Sequence, residues 1–219
     1  QGQGNYTGTA SATWSLVAKD VTITPDAKSK TYGAADPELT YTTDIDSNAA
    51  LKAKLDAAVG TTKLGRAAGD KVGAYAIDLG MLKAGNNFNL KLAAATVNLT
   101  ITPADYTFTV LAEQSFRTGH GLSAIKAAPE HATGVNGETV SGTVKWYSDA
   151  SHATLAADSD LSSLAANSSK TLYWVFTPAG GQSNYKTDAK SGSTKFTARD
   201  KDDLSASIVT SGIKGLDKT

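Results

Sequence analysis

The sequence of 219 residues has no cysteine, and 21 Lys and Arg exactly offset 21 Asp and Glu. Without cysteine there is no disulfide and no thiolate metal site, so hydrophobic cores must hold the folded domains together. A neutral chain creates no field that would concentrate a polyanion, so nucleic acid is not an expected partner. Lack of cysteine is compatible with secretion, because a domain with a sufficient core does not need disulfides.

Long apolar runs are also missing. No stretch approaches the roughly 20 apolar residues that a membrane-spanning helix needs, and the first residues lack a signal-peptide pattern. The sequence has no Gly-x-Ser-x-Gly motif, phosphate-binding loop or dinucleotide fingerprint. We therefore predict no membrane span in this sequence, no cofactor and no enzymatic activity.

What the sequence does contain is repetition. Thr-Ile-Thr-Pro occurs at residues 22–25 and again at 100–103, each time at the end of an alternating run of the kind that forms a strand. A second repeat links Gly-Gln-Gly-Asn-Tyr at 2–6 with Gly-Gln-Ser-Asn-Tyr at 181–185. These repeats predict an all-β protein, built as a tandem array of small β-sandwich modules.

The repeats also predict the domain boundaries. We expect residues 1–20 to be the terminal strand of a preceding repeat, 21–103 and 104–199 to be two modules, and 200–219 to begin another repeat or form a tail. The terminal strand should run from Tyr6 to Val17. Because Trp14 and Leu16 share one face of it, we expect this strand to dock on a sheet edge, either that of the first module or that of a second molecule.

One helix is predicted in the first module, at about residues 47–59. Leu51, Leu55 and Val59 recur at fourfold spacing, which is typical of an amphipathic helix. Ser47 is placed to cap its start and Gly60 to end it.

Three motifs surround this helix: Tyr-Gly-x-x-Asp-Pro-x-Leu-Thr-Tyr at 32–41, Arg-Ala-x-Gly-x-x-Val-Gly-x-Tyr-x-Ile at 66–77, and Gly-x-Leu-x-Ala-Gly-x-Asn-Phe-x-Leu at 80–90. The last reads as two strands joined by a Gly-Asn turn. Together with the closing Thr-Ile-Thr strand, the motifs resemble the MBG domain, a mostly β, immunoglobulin-like repeat of large bacterial surface proteins and adhesins. The resemblance covers residues 21–103 and implies a structural, extracellular module. The helix is longer than the family pattern leads us to expect.

The second module resembles, more loosely, a bacterial immunoglobulin-like repeat. Strands are predicted at Tyr106–Val110, Val140–Trp146, Leu172–Phe176 and around Phe196. Trp146, Trp174 and Phe176 should be core residues of this module, and Tyr32 and Gly33 structural residues of the first.

Few residues could carry chemistry. His120, His131 and His152 lack the close spacing of a metal pair and are expected on the surface. Asp149, Asp158 and Asp160 lie in one polar loop and are weak candidates for calcium, because the EF-hand spacing and its glycine are missing.

Two functions remain open. The modules could be spacers of an adhesin-like stalk on a bacterial cell surface or cell wall, with neighbouring repeats of the same polypeptide as partners. Alternatively, they could bind an extracellular glycan or host protein through the helix and the 149–160 loop, since binding residues concentrate on loops. Tyr32, Tyr41, Tyr147 and Tyr173 are candidate platforms for sugar stacking, and each also fits a core or cross-strand position.

Overall fold

A computed structural model describes residues 15–200 of the chain. Strands hold 38% of these described residues and helices 11%, counting two 3-10 turns at Leu122–Ala124 and Val135–Gly137, which confirms the predicted all-β class. The strands, numbered in chain order, are β1 (Lys19–Pro25), β2 (Lys28–Thr31), β3 (Tyr41–Thr43), β4 (Gly65–Arg66), β5 (Gly73–Asp78), β6 (Phe88–Leu92), β7 (Asn98–Thr102), β8 (Glu113–Arg117), β9 (Ala132–Thr133), β10 (Thr139–Val140), β11 (Gly142–Tyr147), β12 (Ser169–Pro178) and β13 (Lys190–Arg199). The helices are α1 (Ala49–Val59) and α2 (Ser159–Ser162).

The chain divides into two compact units. Within the described residues, the first unit comprises 15–30, 35–69 and 73–101, and the second comprises 31–34, 70–72 and 102–200. The second unit therefore includes two short stretches that precede its main part in the sequence. The predicted module boundary at Pro103 stays a prediction.

The first unit has two sheets around one core. One sheet has the order β3-β1-β6, with β1 antiparallel to β3 and parallel to β6; the other has the order β2-β7-β5-β4. Val21 and Ile23 from the first sheet, and Ile77 and Leu99 from the second, are buried in the same cluster. Because both sheets supply this core, they are arranged as in a sandwich.

Helix α1 confirms the predicted helix, but its capping residue differs from the prediction. The side chain of Asn48, and not that of Ser47, accepts a hydrogen bond from the amide of Leu51. Gly60 ends the helix with a positive φ of 57°, as expected for a terminating glycine. Leu55 and Val59 are buried in the core of the first unit.

The second unit is organised on a four-stranded sheet of order β11-β12-β13-β8. Strand β12 is antiparallel to both β11 and β13, whereas β13 runs parallel to β8. Leu172, Trp174 and Phe176 point to one face of β12 and are buried there. Strands β9 and β10 form a separate two-stranded sheet, and residues of both contribute to the same core.

Two predicted strands do not form. Residues 106–110 have no ladder, only an isolated bridge at Thr107, although Tyr106 and Phe108 are buried as their alternation indicates. Residues 80–84 form no strand either: Gly80, which has a φ of 52°, and Met81 lie in a turn, and 82–84 are irregular. In both places the side-chain pattern is right, but a continuous ladder is missing: strand β9 reaches only Thr107, through two hydrogen bonds of 2.8 Å with Thr133, and residues 80–84 pair with no strand.

The predicted terminal strand is not formed at its described end. Residues 15–18 are not in a strand, and Leu16 is 101% exposed, so this leucine packs on no sheet of its own chain. Docking on a second molecule stays a prediction. Strand β1 begins at Lys19, two residues before the predicted start of the first module. Residues 6–14 of the predicted strand, and 201–219, lie outside the described residues.

Candidate functional site

In the first unit, a cluster of charged side chains joins two of the sequence motifs. The Asp36 carboxylate accepts hydrogen bonds from Arg66 Nε at 2.6 Å and Arg66 Nη2 at 3.1 Å, and Lys30 Nζ lies 2.6 Å from it. These contacts, Arg66 first, lower the pKa of Asp36 to about 2. We call Lys30, Asp36 and Arg66 the Asp36 cluster. A bidentate pair of this kind fixes the geometry of both segments, which suits a structural lock.

The other contacts of Arg66 explain the rest of its motif. Its Nη1 donates to the carbonyl oxygens of Ala67 at 2.9 Å and Gly69 at 2.6 Å, and its guanidinium lies 5.3 Å from the ring centre of Tyr75. Gly69 has a φ of 139°, and a Cβ there would lie 2.2 Å from the Tyr75 ring. The Arg, Gly and Tyr of this motif are therefore parts of one packed arrangement.

In the second unit, a carboxylate sits between two tyrosines. Glu138 accepts a hydrogen bond from the hydroxyl of Tyr32 at 2.8 Å and another from the hydroxyl of Tyr185, and the two rings pack edge to face with centroids 5.7 Å apart. The Tyr185 hydroxyl, followed by that of Tyr32, lowers the pKa of Glu138. Burial, followed by the Glu138 contact, raises the pKa of Tyr185 to about 12. We call these three residues the Glu138 cluster.

Glycines shape the surroundings of the Glu138 cluster. Gly33 has a φ of 80°, and a Cβ there would lie 2.7 Å from Val135 Cγ2. A Cβ on Gly134 would lie 2.2 Å from the Tyr185 hydroxyl. Tyr32 and Gly33 were predicted to be structural residues of the first module, and this placement is wrong. They pack within the second unit, because their partners Glu138, Tyr185 and Val135 belong to it.

The repeated Gly-Gln-Ser-Asn-Tyr stretch supplies structural contacts as well. The side chain of Gln182 accepts from the Ser141 amide at 2.9 Å and donates to the Ser141 carbonyl oxygen at 2.7 Å. Asn184 accepts from the amide of Val72 at 3.1 Å. Together with Tyr185, these contacts give a structural role to the three polar side chains that both copies of the repeat share.

The predicted core residues of the second unit lie at different depths. Phe176 is fully buried and stacks on Phe108 with centroids 4.3 Å apart, and Trp174 is 7% exposed and meets the same Phe108 edge to face. Trp146 is half-buried and packs edge to face on Phe196.

The three aspartates considered for calcium are not brought together. The Asp149 carboxylate accepts hydrogen bonds from the Ser151 hydroxyl and from the amides of Ala153 and Thr154, which hold its pKa well below the usual range. It also accepts one from the Ser151 amide. Asp158 accepts from the amide and hydroxyl of Ser123.

Asp160 is engaged elsewhere. It accepts from the Ala157 amide at 2.7 Å and from Lys170 Nζ at 2.6 Å. Within residues 15–200, no three His, Asp or Glu side chains are grouped as metal ligands would be.

The histidines are scattered, and one of them meets aromatic rings. His120 and His131 are exposed. His152, with a φ of 58°, lies edge to face with Tyr147 at 5.2 Å and with Tyr173 at 6.4 Å between centroids. Tyr147 and Tyr173 face each other across β11 and β12, on the side of the sheet opposite Trp174.

A groove of about 670 Å³ lies in the second unit beside the half-buried Trp146. The charged side chains of its wall have partners within the wall. Lys126 forms an ion pair with Glu130 at 2.9 Å, and Asp158 accepts a hydrogen bond from the amide of Ser123. The groove therefore presents an indole edge without a set of convergent polar groups.

Sequence reasoning missed the central acceptors of both polar clusters. Asp36 and Arg66 stand in quoted motifs, but their pairing was not predicted. Glu138 carries no local signal, since a single glutamate beside a turn is ordinary surface sequence. The opposite charges of Asp36 and Arg66, each in a motif of the same resemblance, are the signal that could have suggested the first pairing.

The fold and the two polar clusters together define an all-β protein. The motif residues in these clusters take part in packing and in hydrogen bonds within the protein. In line with this class, residues 21–109 match the family model of the MBG domain (YGX type), which confirms the recognition for the first module. The match indicates a repeat domain of a surface protein, and this repeat family is of a non-catalytic type. It ends at residue 109, six residues into the predicted second module, whose immunoglobulin-like identity stays a prediction. Comparisons with curated proteins and with solved structures found no match.

Proposed function

We propose that the chain is a non-catalytic spacer, a pair of repeats in the stalk of a secreted or cell-surface bacterial protein of the adhesin kind. The observation that carries this proposal is the MBG match over residues 21–109. In such a stalk, the partners of each repeat are its neighbours in the same polypeptide, and the localisation is extracellular, at the cell surface or cell wall.

The polar clusters support this role. The Asp36 and Glu138 carboxylates both accept hydrogen bonds from side chains of the protein, and among the described residues no buried side-chain nitrogen or oxygen lacks a hydrogen-bond partner. A ligand site usually leaves a few polar groups aimed at open space.

Among residues 15–200, no helix is long and apolar enough to cross a membrane.

The spacer role is tested by localisation and by binding. An antibody raised against the chain should label intact cells of the source organism, and external protease should remove the label. Label confined to the cell interior would contradict the proposal. On a glycan array and on immobilised extracellular matrix proteins, the purified chain should give no more signal than an unrelated β-sandwich.

A second candidate, glycan binding, is favoured by one observation. Tyr147, His152 and Tyr173 gather on the sheet face opposite the core, where half-buried rings could meet the apolar face of a sugar. In that case the array should show binding that is lost in Tyr147→Ala and Tyr173→Ala and kept in Tyr41→Ala, whose ring packs against the core of the first unit.

A further inference from the structure

Strands β8 and β13 of the second unit pair in parallel. The register runs from Glu113 opposite Lys195 to Arg117 opposite Arg199. Two further hydrogen bonds extend the ladder at its ends: Lys195 N donates to Ala112 O at 2.8 Å, and Thr118 N donates to Arg199 O at 3.0 Å.

The direction of the two strands decides how tension would act on this ladder. The chain enters β8 at Glu113 and leaves β13 at Arg199, and the two strands run the same way. Tension along the chain therefore pulls the strands past each other and loads all the ladder bonds together. An antiparallel hairpin pulled from its open end breaks its bonds one after another, each under the full load. We infer that the β8–β13 ladder is a clamp that lets the second unit bear tension.

The core protects this clamp. Phe116 of β8 and Phe196 and Ala198 of β13 are buried behind the ladder, so water cannot reach its bonds from that side. Water must compete for a hydrogen bond before it can replace it, and a shielded ladder resists rupture more strongly than an exposed one. The Thr118 hydroxyl adds a bond to the same Arg199 oxygen at 2.9 Å.

A second parallel contact lies nearer the start of the unit. Ala104 N donates to Asn184 O, Lys186 N donates to Ala104 O, both at 2.9 Å, and Ala104 and Tyr185 form a parallel bridge. Asp105 pairs with Lys190 Nζ at 2.8 Å. Tension entering the unit at residue 102 would load these contacts in the same sense as the clamp. The inference rests on strand pairing within the second unit and is independent of the spacer role.

Single-molecule force measurements on the full chain test the clamp by changing only the direction of pulling. The chain has no cysteine, so two engineered cysteines provide the only attachment points. Leu111→Cys with Asp200→Cys pulls β8 and β13 in shear. Glu113→Cys with Lys195→Cys, two exposed positions opposite each other, separates the same strands by breaking the ladder bonds one after another. The two thiols of this pair are kept reduced until each is attached to its handle, because facing cysteines can otherwise form a disulfide. We expect the shear pair to unfold at several times the force of the facing pair.

Equal forces for the two pairs, or a lower force in shear, would overturn the inference. The two double-cysteine variants must have the same melting temperature, so that they differ only in the direction of pulling. If their melting temperatures differ, Ser115→Cys with Thr197→Cys provides another facing pair.

A matched pair of proline variants gives a second readout. In this register the amide of Gln114 faces β13, and that of Ser115 faces away from the sheet. In the shear geometry, Gln114→Pro should lower the unfolding force more than Ser115→Pro. Because Gln114 also bonds Ala127 O through its side chain, Gln114→Ala measures that contribution. An equal loss in both proline variants would contradict the clamp.

Discussion

Trp174 shows how much one buried side chain matters in a chain without disulfides. It is 7% exposed, and a Cβ on Gly192 would lie 2.5 Å from its indole, so the opposite strand is shaped around the ring. Trp174→Ala should therefore cost about 3–5 kcal/mol of unfolding free energy, because the sheet cannot collapse into the cavity. Chemical denaturation, monitored by far-ultraviolet circular dichroism, measures this loss of unfolding free energy.

Trp146→Ala is the comparison for this variant. Since Trp146 is only half-buried, its truncation should cost less than that of Trp174. A loss below about 1 kcal/mol for Trp174→Ala would mean that its ring is not a core anchor.

Asp36 gives the first unit a dependence on pH. Its pKa is lowered from 3.8 to about 2, so its contribution to stability is present above pH 3.8 and is lost as the pH falls through about 2. Asp36→Asn should lower the melting temperature of the first unit at neutral pH and have little effect at about pH 2, where the native carboxylate is itself becoming protonated.

The exposed carboxylate of Glu38 serves as the control, because its pair with Lys63 is solvated on both sides. Glu38→Gln should leave the melting temperature of the first unit nearly unchanged at neutral pH. If Asp36→Asn and Glu38→Gln gave the same pH profile, the Asp36 cluster would not be the cause.

Among the secondary-structure elements, α1 offers a direct test of capping. Asn48→Ala removes the acceptor for the Leu51 amide and should cost about 1 kcal/mol of unfolding free energy. Ser47→Ala is the matched control, since Ser47 is the adjacent capping candidate and does not cap. Denaturation curves of the two variants measure their free energies of unfolding. A larger loss of stability for Ser47→Ala than for Asn48→Ala would mean that Ser47 is the capping residue.

The elements also show where sequence reasoning is sound. The fourfold spacing of Leu51, Leu55 and Val59 predicted α1 correctly, because a helix satisfies its backbone hydrogen bonds locally. Residues 106–110 have an equally clear alternation but form no strand, because a strand exists only if a partner lies beside it. Strand β8, which lacks a strong local pattern, forms because β13 pairs with it.

For the molecule as a whole, the testable point is the start of the first unit. Leu16 and Val17 are 101% and 86% exposed, and the first strand begins at Lys19. Deleting residues 1–17 should leave the melting temperatures of both units unchanged within error. Differential scanning calorimetry of the full and shortened chains measures this. A lower melting temperature for the first unit would show that the deleted segment is intrinsic to it.

The sequence by itself determined the all-β class, the helix and the MBG recognition, because these depend on local periodicity and on motifs that are continuous in the chain. Only the tertiary structure decided the pairing of Asp36 with Arg66, the enclosure of Glu138 by Tyr32 and Tyr185, and the dispersal of the three aspartates of the 149–160 loop. Each of these depends on which distant segments meet in the folded chain. The sequence around a carboxylate does not show which distant donor will form a hydrogen bond with it.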